Sequence, residues 1–335
     1  MMAERLGSTS SRGTPPMSMR ESYGRALAEC GESNPDLVVL DADTSSSTLS
    51  CFFAERFPGR FFNVGIAEPC MVDVAVGLAL GGKVPFANAF AALLSLRALE
   101  QIRTCVCYAR TNVKLISGYA GLSDYKDGPT HHSIADIATM RAMPGMAVIV
   151  PADALEAARW VPILAAHEGP AYLRLSRAAT LPVHQNPQVG AGLRTRPLQL
   201  EIGRGIALRE GNDLAIVSTG SMVGRSLLAA EELAGEGIHA RVLEIHTIKP
   251  LDVDLIQEAA EETGAIVTAE EHSVIGGLGG AVAEALCAGC PLPLERVGVA
   301  DRFTCTALDP ESLMDACGLA VRDIVAAAKS ALARK

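Results

Sequence analysis

Short apolar runs of β-forming residues alternate along this chain with Ala-rich stretches of helical character. The first series contains LVVLD (Leu37–Asp41), RFFNVGI (Arg60–Ile66), VPFANAF (Val84–Phe90), VKLISG (Val113–Gly118), MAVIV (Met146–Val150) and AYLRLS (Ala171–Ser176). Between them the spacing predicts helices over 18–32, with Ser18 as N-cap, and over 48–57, 68–80 and 93–108. Further helices are predicted to start at Ser133 and Asp153. Continuous apolar strands separated by helices predict parallel sheets covered on both faces. Residues 178–204 are rich in Pro, Gln and Gly and lack periodicity, which reads as an interdomain linker. A second series follows, with DLAIVSTG, ARVLEIHTI and GAIVTAEEH as strands and a helix from Ala281 opened by IGGLGG. The expected fold class is α/β: two consecutive doubly wound parallel-sheet domains, residues 18–177 and 205–335, behind a polar leader at 1–17.

The length of 335 residues permits two separate cores, and 49% apolar residues supply them. With only 4% aromatics, Ala, Val, Leu and Ile must do the filling. A net charge of -9 argues against a nucleic-acid binder, which needs clustered Lys and Arg. No apolar run reaches the roughly 18 residues of a membrane span. The leader has no apolar h-region and reads as disordered or as a remnant of cloning. Nine scattered cysteines, including a lone C-x-x-C at Cys287 and Cys290, read as reduced thiols of a cytoplasmic protein without a metal site.

Ligands of parallel sheets sit beyond the carboxyl ends of the strands. The loops after Asp41, Ile66, Ala87 and Gly118 therefore share one functional edge, and three groups of polar residues fall there. In NVGIAEPCMVDVAVGLAL, Glu68 stands where a strand-like run meets a small, apolar helix. A carboxylate there either complements the helix dipole or, partly desolvated, shares a proton with a ligand. In DYKDGPTHHSIADIATMRAMP, His131 and His132 follow a Gly-Pro loop before a helix that Ser133 can cap. They read either as surface histidines or as hydrogen-bond donors and proton carriers. In DADTSSSTLS (Asp41–Ser50), hydroxyls precede a helix, as N-caps or as a cradle for phosphate or sulfonate. IGGLGGA (Ile275–Ala281) lacks the strand and acidic partner of a dinucleotide fingerprint and reads as tight helix packing.

Taken in order, RFFNVGIAEPCM, DGPTHHSIADIA, RAMPGMAVIVPADA, LAIVSTGSMV and IHTIKPLD resemble the motifs of the transketolase family, from about Ser18 to the C-terminus. The resemblance implies a pyrimidine-binding domain of thiamine-diphosphate enzymes followed by the transketolase C-terminal domain. It implies that Glu68 bonds the cofactor's aminopyrimidine and activates it, that Phe90 stacks on that ring, and that Asp43 lies near cofactor and subunit interface. Leu93 and Leu96 stand where aromatics are common in the family. Asp127 and His131 match its sugar-binding aspartate and histidine, with His131 also a catalytic candidate. Arg177 and Ser47 match positions that hold the acceptor's terminal phosphate, and His132 replaces a residue that is often Gln.

The family's G-D-G…N motif for diphosphate and Mg²⁺ is not found. The expectation is a separate N-terminal subunit carrying that domain and its Mg²⁺, homodimerisation of this chain, and a heterotetramer active only when assembled. The implied reaction moves a two-carbon ketol unit between a ketose and an aldose, one a sugar phosphate or other anionic sugar. The rival enzymes are the beta subunit of a 2-oxo acid dehydrogenase and a deoxyxylulose-phosphate-synthase-like activity. A non-catalytic scaffold is the rival of another class.

Overall fold

The computed structural model describes residues 18–184 and 198–335. The expected leader, 1–17, and residues 185–197 of the expected linker lie outside the described residues. Helix α1 (Met19–Ser33) starts where Ser18 caps it, accepting from Glu21 N–H. Strand β1 (Leu37–Asp41) leads into two short helices, α2 (Ser45–Thr48) and α3 (Cys51–Arg56). Then come β2 (Phe61–Asn63), α4 (Glu68–Leu80) and β3 (Val84–Phe90). The helix expected over 93–108 is broken into α5 (Ala91–Arg97), α6 (Leu99–Gln101) and a π-helical segment, Ile102–Tyr108. Strand β4 (Lys114–Gly118), α7 (Asp136–Ala142), β5 (Ala147–Ile149), α8 (Ala154–Ala166) and β6 (Ala171–Arg174) complete the first series.

The second series runs β7 (Ile206–Arg209), β8 (Leu214–Ser218), α9 (Met222–Gly235), β9 (Ala240–Glu244), β10 (Thr247–Lys249), α10 (Val253–Thr263) and β11 (Ile266–Ser273). It ends with α11 (Leu278–Ala288), β12 (Leu294–Val299), α12 (Pro310–Ala316) and α13 (Val321–Ala333). The seven-stranded sheet has the order β10-β5-β6-β4-β3-β1-β2 and the five-stranded sheet β12-β11-β8-β9-β7. All neighbouring pairs are parallel except β10 with β5 and β7 with β9. The architecture is the α/β pair of parallel-dominated sheets that the strand–helix alternation predicts.

ARVLEIHTI is not one strand. It divides at Ile245–His246, and its second part, β10, crosses to the edge of the first sheet. Val150 N–H donates to His246 C=O at 2.8 Å, which continues the seam between the sheets. Ser133 does not cap α7. Its N–H pairs with Gly121 C=O, and the helix begins later, at Asp136, without a side-chain cap. The Gly-rich segment packs tightly, as read. A Cβ on Gly277 would collide with Glu270 Oε2, because that carboxylate accepts from the N–H groups of Leu278 and Gly279 and caps α11 itself.

Aliphatic side chains dominate the cores. Leu40, Met71, Val72, Leu115 and Val148 meet in a cluster that continues into Val217, Leu243 and Ile245 of the second series. Continuity of the core across the seam fixes the loops of one half against the other. Among the described residues no helix is long and apolar enough to cross a membrane, and all nine cysteines are unpaired.

Candidate active site

At the carboxyl ends of β1 and β3 lies a cleft of about 280 Å³. Asp43, Ser47, Glu68, Phe90, Leu93 and His131 all line it, so six of the sequence-derived candidates converge. Glu68 is the first residue of α4 and is only 2% exposed. Its position at the first turn of α4 suits the helix dipole, and the residue also lines the cleft, where a ligand could meet it. Arg97, at the end of α5, brings Nη1 within 3.3 and 3.5 Å of the two carboxylate oxygens. The guanidinium balances the buried charge. Arg97 escaped the sequence reading because an arginine ending a helix reads as a solvated charge.

The Phe90 ring stacks on Tyr119 at 4.4 Å between centroids and meets His131 edge-on at 6.1 Å. Leu93 shares the cleft, whereas Leu96 is 59% exposed and lies outside it. The cause is the burial of Ala91, Ala92, Leu94 and Ser95 on the other side of α5.

Tyr119 holds φ of +58° and stands between two arginines. The guanidinium carbon of Arg177 is 4.9 Å from its ring centroid and that of Arg20 is 5.7 Å away. Arg20 Nη1 donates to Ser47 C=O at 2.8 Å and to Tyr119 Oη at 3.2 Å. Its Nε is buried without a partner. Arg177 is not a free cation, because it pairs with the buried carboxylate of Asp124. Arg20, Tyr119 and Asp124 were not among the sequence candidates.

Three of the six hydroxyls of the DADTSSSTLS loop, those of Thr44, Thr48 and Ser50, have structural partners. Asp41 is fully buried and accepts from Thr44 N–H and from the hydroxyls of Thr44, Thr48 and Ser50. Burial raises the Asp41 pKa, and those four bonds pull it back. Ser47 is left facing the cleft. Asp43 has φ of +64° and is held by a reciprocal pair with Asn63, at 3.1 and 3.0 Å.

The 119–133 loop carries the other candidates. His131 is half-buried, with Nδ1 3.0 Å from Thr130 Oγ1. Asp127 is exposed on the loop and does not line the cleft. Burial and the neighbouring Asp127 carboxylate raise the Asp124 pKa, while Arg177 opposes the shift. The second domain clamps this loop. Glu271 Oε1 accepts from Leu122 N–H at 2.6 Å, and Oε2 accepts from Ser221 Oγ at 2.5 Å. Buried His132 joins Nε2 to Asp124 C=O at 3.0 Å and Nδ1 to Thr304 Oγ1 at 2.5 Å.

Comparison with known proteins accords with this geometry. Residues 15–182 match the pyrimidine-binding domain of transketolase, and residues 203–324 match the transketolase C-terminal domain. The chain is 41% identical to a 6-deoxy-6-sulfo-D-fructose transketolase subunit of Clostridium sp. (strain MSTE9), over 95% of each chain. It is 36% identical to an apulose-4-phosphate transketolase subunit of Phocaeicola vulgatus, over 84% of this chain and 87% of that one. A solved split-gene transketolase, described as an inactive beta4 tetramer, superposes with a TM-score of 0.86 at 46% identity. It covers 95% of this chain and 99% of its own. Two domain matches in the expected order and near full-length relatives leave one assignment: this chain belongs to the transketolase family.

Proposed function

We propose that this chain is the pyrimidine-binding subunit of a split, thiamine-diphosphate-dependent transketolase whose sugar substrates carry an anionic end. The observation that carries the reading is the buried Glu68 carboxylate, set in a cleft wall beside an aromatic ring and open to the cleft. That arrangement fits an aminopyrimidine: Phe90 and Leu93 offer apolar contact to a flat ring, and Glu68 a hydrogen bond to a ring nitrogen. Thiamine diphosphate, when bound, supplies the carbon nucleophile that carries the two-carbon unit. Glu68 would hold and share the pyrimidine's proton, and Arg97 would keep the carboxylate oriented. Asp43 marks the cleft rim on the β1 side, held there by Asn63.

His131 lines the cleft, where it can donate to a substrate oxygen, while Asp127, on the same loop but outside the cleft lining, would be the residue that reads a hydroxyl. Ser47, Arg20 and Arg177 gather beside Tyr119, where guanidinium groups suit phosphate or sulfonate alike. Transfer of charge recognition to this corner leaves the sugar's reacting end toward Glu68 and His131.

The diphosphate and Mg²⁺ belong, in this reading, to a partner subunit with the diphosphate-binding domain. Among the described residues no compact His, Cys, Asp or Glu cluster lies at the cleft. Ile66, just before helix α4, and Leu80, its last residue, are 73 and 76% exposed, and Leu96 on α5 is also exposed. Such exposed apolar residues suit a subunit contact, first with a second copy of this chain and then with the partner, in a cytoplasmic heterotetramer.

The test is coexpression with the partner subunit and assay of Glu68→Gln. Turnover should fall about 10²–10⁴-fold with little change in KM, the range of a lost acid–base contact. Unchanged turnover would instead support a scaffold. Activity confined to 2-oxo acids, with none on anionic ketoses, would transfer the assignment to a dehydrogenase beta subunit.

A further inference from the structure

A second group of buried titratable side chains lies away from the cleft, at the seam between the two sheets. Glu156 of α8, His184 beyond β6 and Glu244 at the end of β9 each offer one ligand atom, all within 4.8 Å of one another. His184 Nε2 is 3.0 Å from Glu244 Oε2 and 3.8 Å from Glu156 Oε2. Yet Nε2 and both oxygens of Glu244 have no hydrogen-bond partner. The 3.0 Å approach is therefore not a directed N–H···O bond. Within 4 Å, the described residues offer these two carboxylates no lysine or arginine, only His184. Two fully buried carboxylates without a cation carry a heavy desolvation cost.

The surroundings are those of a prepared ligand set. Glu156 Oε2 accepts from Ala152 N–H at 2.6 Å and its Oε1 from Trp160 Nε1 at 3.0 Å. Such outer donors orient ligating carboxylates. Asp153 accepts from the N–H groups of Val183 and His184, each at 2.8 Å, which fixes the backbone that presents the imidazole. In a tetrahedral site with bonds of about 2.0–2.1 Å, ligand atoms stand about 3.3 Å apart. The observed 3.0 and 3.8 Å bracket that separation.

We propose that Glu156, His184 and Glu244 form a structural zinc site, completed by water, that joins three segments across the interdomain seam. One imidazole and two carboxylates make a nitrogen–oxygen set suited to Zn²⁺, and its +2 charge balances the two carboxylates. The competing occupant is a proton. Burial raises Glu244 to about 7 and Glu156 well above its usual range, Glu244 adding to the latter.

The experiment strips the full-length chain with a chelator and titrates it with Zn²⁺, reading metal content and thermal midpoint. One zinc per chain and a rise of about 4 °C at a hundredfold excess over Kd are expected. His184→Ala and the near-isosteric Glu244→Gln should each abolish both, whereas a Cys287→Ser/Cys290→Ser double variant should retain them. Equal uptake by His184→Ala would overturn the proposal. So would no uptake by any form, or a metal-free Glu244→Gln more heat-stable than the parent, the signature of a shared proton.

Discussion

Tyr119, stacked behind the cleft residue Phe90, occupies the gap between two guanidinium groups that lie far apart in sequence. Arg177 is already partnered by Asp124, so in the proposed reading an anion would gain most from Arg20, whose Nε is buried and unsatisfied. A charge-assisted hydrogen bond contributes about 1.5–3 kcal/mol, and every 1.36 kcal/mol is tenfold. Arg20→Ala in the assembled enzyme should therefore raise KM for an anionic sugar by about 10- to 150-fold, while KM for an uncharged sugar stays within threefold or so. Equal losses for both substrates would remove Arg20 from the anion corner. The place of Glu68 at a helix start was legible in the sequence because the residue interrupts an otherwise apolar run where a strand-like run gives way to a helix. Arg20 was not: it sits in an amphipathic helix, and its contact with Tyr119 spans 99 positions.

The 119–133 loop shows how one element borrows its shape from another. Glu271 of β11 and Thr304 beyond β12 hold it, and a Cβ on Gly121 would collide with Glu271 Oε1. The tautomer of His132 follows from its partners. A carbonyl can only accept, so Nε2 carries the proton toward Asp124 C=O, and Nδ1 accepts from Thr304 Oγ1. Burial lowers the His132 pKa, opposed by the Asp124 carbonyl and assisted by His131. Above the unfolded value of about 6.5 both states are neutral and the stabilisation is complete. As pH falls below that value the unfolded chain takes up a proton first and stability declines. The decline continues down to the folded pKa, where protonated Nδ1 can no longer accept from Thr304. His132→Gln keeps a donor and an acceptor without the titration. Its thermal midpoint should therefore fall less than the parent's between pH 7.5 and 5. Parallel melting curves over that range would show that His132 does not couple the loop to pH. Histidines at a loop were readable from D-G-P-T-H-H, but their division of labour was not. His131 faces the cleft and His132 the second domain, a difference that only the packing of Thr304 decides. The same limit explains ARVLEIHTI, whose continuous apolar character hides the point at which it leaves one sheet for the other.

At the scale of the whole molecule, the alternation of strand and helix was enough to gather the candidate residues at one sheet edge, because parallel sheets present one set of loop ends. It could not show that β10 joins the first sheet or that the second domain shapes the first domain's loop. Those links make the two halves one scaffold for a site that, in the proposed reading, another subunit completes. The cleft supplies a carboxylate and an aromatic face, and the proposed reading gives these to the pyrimidine end of the cofactor and the neighbouring arginines to the sugar's charged end. Magnesium binding to a diphosphate needs several oxygen ligands in near-octahedral array. In the proposed reading that grip lies elsewhere, and the chain alone would hold only the pyrimidine ring. A single ring contact in a half-open cleft falls far short of the whole cofactor's affinity, since binding free energy accrues from all its parts and must first offset the loss of free motion. Calorimetry of the chain alone with thiamine diphosphate and Mg²⁺ should therefore show no saturable heat at micromolar concentration. The same titration with the partner present should show magnesium-dependent binding, weakened little by Glu68→Gln because the diphosphate anchors the cofactor. Micromolar, magnesium-dependent binding by the chain alone would mean that the diphosphate site lies within this polypeptide and that the divided-site reading is wrong.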